Sequence, residues 1–134
     1  MGIAKEFSGP NVMGTKSNGL SKINYMDELV KKFALLTIEK ESDPFNSKKA
    51  NRLFDQRHAI FKTLQKENKL IDLKQLFDHR DLNVVLAAAT HYLVENPKEA
   101  LEKLSDLSKI DGIIGFAAKN WIEQWKNGEV NFDY

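Results

Sequence analysis

The side chains in this 134-residue chain best suited to metal binding or proton transfer are three histidines, His58, His79 and His91. No two stand four residues apart, so no helix can present a two-histidine metal site. The chain has no cysteine, which removes disulfides and thiolate metal sites. His79-Arg80-Asp81 matches the start of a kinase catalytic loop. That loop needs an asparagine five residues past the aspartate, and Leu86 stands there. The glycine-rich loop and the metal-binding Asp-Phe-Gly are also missing. These three residues read instead as a helix-linking turn, with Asp81 capping the helix that follows. Gly9 and Gly14 have the spacing of a phosphate-binding loop, yet Thr15 takes the lysine position and no strand precedes it.

Paired carboxylates would suit acid–base chemistry, and the candidates are Glu99 with Glu102 or Asp106 with Asp111. They fall on exposed helix positions or at helix ends, where nothing apolar would raise a pKa. No serine sits in a glycine-flanked elbow. His58 falls beside the polar face of its helix, and His91 reads as a packing residue in an apolar run. The chain is read as having no catalytic residue, no metal ligand set and no cofactor.

The elements that position these residues are helical. The first is expected from Tyr25 to Glu41, with Asn24 as N-cap and an apolar stripe of Met26, Leu29, Val30, Phe33, Leu36 and Thr37. Asp43-Pro44 ends it, because proline disfavours a helical residue before it. A second helix follows Ser47 and reaches about Lys66. A short third covers about Ile71 to Asp78. The fourth, after Asp81, is apolar nearly all round, as befits a helix between neighbours. Asn96-Pro97 supplies an N-cap and a proline at the first position of the fifth. Asp111 is expected to cap the sixth, and Gly128 to stop it. A weak strand pattern at Val130-Asn131-Phe132 follows. Trp121 and Trp125 are expected against the preceding hairpin, unless one is exposed as an interface anchor.

Residues 1–21, glycine-rich and without apolar period, read as a flexible arm or expression remnant. Residues 22–128 read as the domain, and 129–134 as a tail. No apolar run is long enough to span a bilayer and no signal core precedes the helices, so a cytoplasmic protein is expected. The net charge of +1 divides unevenly: residues 1–69 carry 13 Lys plus Arg against 8 Asp plus Glu, and residues 70–134 carry 7 against 11. Only Arg52, Arg57 and Arg80 are arginines, and lysine is the poorer phosphate fork, so nucleic acid is a weak candidate partner.

The segment Asp81-Leu82-Asn83-Val84-Val85-Leu86-Ala87-Ala88 returns thirty residues on as Asp111-Gly112-Ile113-Ile114-Gly115-Phe116-Ala117-Ala118. A helical unit repeating at this period marks a solenoid, whose units bury their apolar faces only against neighbours. The segment resembles the second helix of HEAT-type repeats, with Val85 and Gly115 replacing the usual arginine. Leu76 to Asp81, Ala87-Ala88-Ala89, Pro97, Ala100, Leu104, Gly115 to Ala118 and Trp125 to Gly128 resemble a small bacterial domain family of unknown function. The resemblance covers residues 25–128.

It implies an all-α fold: a HEAT-like α-α superhelix of about three antiparallel helix pairs. Small proteins similar to these serve as immunity partners in bacterial toxin systems, including contact-dependent growth inhibition. The expectation is therefore a monomeric protein-binding module, most concretely an immunity protein that blocks a cognate toxin. A basic nuclease toxin would meet the acidic second half. The expected partner-binding residues are Asp78, Arg80, Glu95, Glu99, Glu102, Asp106 and Asp111. The alternatives are a generic scaffold and a nucleic-acid-binding helical-repeat protein.

Overall fold

In a computed structural model the chain is all-α. The structure describes the backbone of residues 18–132 and the side chains of 27–132. Helix α1 spans Asn18–Ser42, α2 Ser47–Lys66, α3 Leu82–Tyr92, α4 Pro97–Ser108 and α5 Ile113–Lys126. A 3₁₀ segment occupies Leu70–Asp78. Each element packs most heavily on its hairpin partner: α1 on α2, the 3₁₀ segment on α3, and α4 on α5. Contacts between hairpins follow chain order, with α3 at the centre. This is the stack expected from the repeat.

Two expectations at the N-terminal side change. Helix α1 begins at Asn18 rather than Tyr25, so Asn24 is inside it rather than at its N-cap position. The remainder of the expected flexible arm, residues 1–17, lies outside the described residues. The third element is a 3₁₀ helix, not an α-helix. Its buried residues explain the choice: Leu70, Leu73 and Leu76 recur every third position. Three residues per turn eclipses such positions on one edge, while an α-helix would spread them.

Side-chain caps open α2, α3 and α4. Asn46 Oδ1 accepts from the Lys49 N–H at the start of α2, and Asn96 Oδ1 from the Glu99 N–H at the start of α4. Asp81 Oδ1 accepts from the Asn83 N–H at the start of α3. The Asp81 N–H itself donates to His79 Nδ1 at 3.0 Å. His79-Arg80-Asp81 is thus a turn whose polar groups serve the backbone. Helices α2 and α5 stop alike. Asn68 (φ 58°) and Gly128 (φ 72°) adopt the left-handed conformation. The next N–H reaches back to Leu64 and Gln124 carbonyls respectively, giving two Schellman ends.

The core runs through all three hairpins, from Phe33 and Phe61 through Val84, Ala88 and Tyr92 to Leu104 and Ala118. The small side chains of Ala88 and Ala89, wholly buried, let neighbouring helices approach closely. Trp121 and Trp125 are half-buried against this core. The expected strand at 130–132 is absent among the described residues. Phe132, expected in a tail, is only 8% exposed. Its ring lies 4.7 Å from His91, 5.5 Å from Phe61 and 6.2 Å from Trp121. The packed unit therefore continues past residue 128.

Candidate interaction surface

Connectivity sorts the surface residues into two ends. The links inside hairpins, 43–46, 79–81 and 109–112, fall at one end of the stack. The links between hairpins, 67–69 and 93–96, fall at the other. Helix α4, with 12 residues, separates the ends by about 18 Å.

The turn end carries an apolar surface that has no counterpart in the expected site. Phe45, in the first link, is 97% exposed; Ile113 and Phe116, in the first turn of α5, are 85% and 67% exposed. Leu82 and Ile110 are exposed beside the second and third links. Solvated large apolar side chains are individually common, and Phe45 and Leu82 stand at links of their own. Ile110, Ile113 and Phe116, however, fall within one link and the first turn of α5, a local concentration of the kind that marks contact surfaces.

The third link shapes a groove. Asp111 was expected to cap α5, but the cap position is Gly112, with φ 99° and ψ −157°, and no side chain bonds there. Asp111 is left exposed. The chain makes this late entry because the link lies directly over α5. A Cβ built on Gly115 would collide with the Ile110 carbonyl oxygen, so only glycine fits beneath it. At the same place in the first copy of the repeat, Val85 is buried against neighbours. An open groove of about 530 Å³ results, lined by Ser108, Lys109, Ile110, Asp111, Gly112, Phe116 and Lys119.

The seven residues expected to bind a partner do not form one patch. Asp78, Arg80 and Asp111 belong to the turn end, all exposed. Glu95 and Glu99 belong to the opposite end. Glu102 and Asp106 are exposed along α4 between them. Sequence proximity to acidic links suggested one surface, but an antiparallel hairpin sends successive links to opposite ends. Glu99 is moreover engaged internally. Its Oε2 accepts from Lys74 Nζ at 2.7 Å, and its Oε1 accepts from Asn96 Nδ2 at 3.0 Å and Tyr92 OH at 3.4 Å. The Lys74 ammonium holds the Glu99 carboxyl below its ordinary pKa, and Glu99 in turn raises Lys74. Glu99 fastens the third hairpin to the second.

Two of the three histidines are sealed inside. His91 is fully buried between Phe33, Phe61 and Phe132, with Nδ1 2.8 Å from the Ala87 carbonyl. Burial first, and the nearby Arg57 charge second, lower its pKa to about 3. His58, placed beside a polar face by the sequence, is instead buried and stacked between Phe54 and Phe61. Arg57 donates to Thr37 Oγ1 at 3.1 Å and lies over the Phe33 and Phe54 rings at 5.6 and 5.9 Å. It ties α2 to α1 by a hydrogen bond and by cation–π attraction. Among the described residues no cluster of His, Asp and Glu could hold a metal ion, and no helix is long and apolar enough to cross a membrane.

An all-α stack of hairpins with an apolar turn end is the class these observations define. No protein-family model matches the chain. No curated protein matches it either. The chain is similar in structure to the protein RPA1889 from Rhodopseudomonas palustris CGA009, solved by crystallography. The TM-score is 0.69 and the identity 24%, over 79% of this chain and 92% of that one. Identity this low speaks to the fold alone.

The apolar residues of the turn end were missed in the sequence for a definable reason. Ile113 and Phe116 occupy the repeat positions of Asn83 and Leu86, and Leu86 is half-buried between neighbours. The signal was available: Ile113, Ile114 and Phe116 make the start of α5 apolar on more faces than one preceding hairpin can cover.

Proposed function

We propose that this chain is a protein-binding module that meets its partner with the turn end of its stack. The observation that supports the reading is the exposure of Ile110, Ile113 and Phe116 within the α4–α5 link and the first turn of α5, where Ile110 and Phe116 line one groove. Apolar and aromatic side chains of this size supply interface anchors when a partner desolvates them. His58 and His91 sealed in the core, and His79 taken up by the Asp81 N–H, favour binding over catalysis.

In its most concrete form the module is an immunity protein that binds and neutralises a cognate bacterial toxin, in keeping with the family its motifs resemble. The chain is then co-expressed with the toxin encoded beside it. Protection and a stable complex are expected, and the double variant Ile113→Ser, Phe116→Ser loses both while remaining folded. Protection undiminished in that variant refutes the turn end as the contact face. Absence of both protection and complex with the unaltered chain refutes the immunity reading.

A further inference from the structure

We infer that the groove over the α4–α5 link receives an acidic segment of the partner with an apolar anchor. The inference rests on the protein-binding reading and specifies the chemistry of the partner at that surface. Ile110 and Phe116 give the groove its apolar wall. Lys109 and Lys119 line the same groove, and neither has an ion-pair partner among the described residues. Asp111 is the one carboxylate in the lining.

Two free ammonium groups against one carboxylate leave the groove positive. The start of α5 adds to this, since no side chain caps it and the N-terminal end of a helix carries partial positive charge. Gly112 lines the groove without a side chain and with open space at its Cβ position, so a partner backbone can approach it closely. The complement is a segment that buries one Leu- or Phe-like side chain on Phe116 and offers carboxylates to Lys109 and Lys119. This reverses the expectation of an acidic face meeting a basic toxin. The acids on which that expectation relied are divided between the two ends of the stack.

The test uses a displayed library of random twelve-residue peptides, selected on the full chain and counter-selected on Phe116→Ser. Enriched peptides are expected to pair an aromatic or leucine anchor with two or more Asp or Glu. A purified winner is expected to bind at least tenfold more weakly to Lys109→Glu, Lys119→Glu, and to weaken as salt rises. The single variant Lys103→Glu, outside the groove lining, leaves binding unchanged. Enrichment of basic peptides, or no enrichment, overturns the inference. Winners indifferent to Phe116 and to both groove lysines overturn it while leaving protein binding intact. Sedimentation of the chain alone shows a monomer across concentration. A dimer that Phe116→Ser abolishes assigns the groove to a second copy and overturns the inference.

Discussion

Phe132 lies face to face with His91, ring centroids 4.7 Å apart and planes inclined by 24°. Six residues beyond the end of α5 at Lys126, the chain thus closes the core over a histidine that belongs to α3. The contact joins the segment after α5 to the central helix of the stack.

Loss of that ring is expected to destabilise the fold. Phe132→Ala removes a buried aromatic that touches His91, Phe61 and Trp121, and should cost about 3 kcal/mol, the low end for such truncations because the site is near a chain end. Urea denaturation reads the shift. A change below ~0.5 kcal/mol would show that the segment does not close the core.

Acid is expected to unfold the protein through His91. Its pKa is near 3 folded and about 6.5 unfolded. The unfolded chain therefore binds a proton that the native one refuses between those limits, so stability rises with pH there. It is full above about pH 6.5 and falls by about 1.4 kcal/mol per unit on going down toward pH 3. His91→Gln, neutral throughout, should flatten the slope by close to one proton. Stability measured against pH for both proteins checks this; equal slopes would remove His91 as the cause.

Gly115→Ala reverses the usual helix preference. Alanine gains about 1 kcal/mol over glycine in an exposed helix interior. At this position the new methyl meets the Ile110 carbonyl oxygen, backbone that cannot swing aside. A net loss of about 1–3 kcal/mol is expected, as for overpacking elsewhere. A stabilised variant would mean the link does not lie over α5 as described.

The junction between the second and third hairpins depends on Asn96 and Glu99. Asn96→Ala deletes the cap of α4 and should cost about 1 kcal/mol. For Glu99, whose pKa is lowered mainly by its hydrogen bond to Lys74, the contribution is present at neutral pH and lost as pH falls through the folded value. NMR titration of the Glu99 carboxyl should give a midpoint below the ordinary glutamate value, and Lys74→Met should raise it.

Surface variants separate stability from binding. Phe45→Ser should leave the fold within about 0.5 kcal/mol of the parent, because its ring touches solvent almost everywhere. Thermal melting measures this. A large loss would place Phe45 in a structural contact instead.

Much of the fold was legible from residues alone. Asn96-Pro97, Asp81 and Gly128 mark helix ends by local chemistry, and those ends stand where residue type put them. The three-and-four stripe of α1 named most of its buried face, with Val30, Phe33, Leu36 and Thr37 inside, since a helix turns apolar residues to one side whatever it packs against. The repeat at Asp81 and Asp111 disclosed the stack for the same reason. Tertiary structure alone decided the rest. It turned the third element into a 3₁₀ helix by burying leucines three apart, and it folded Phe132 back onto His91. It divided the acidic residues between two ends, because each hairpin reverses the chain. It also exposed Ile113 and Phe116, because no hairpin covers the outer face of α5 among the described residues. Helix formation is a contest between neighbours in sequence, whereas exposure depends on which distant surface comes to rest against a side chain.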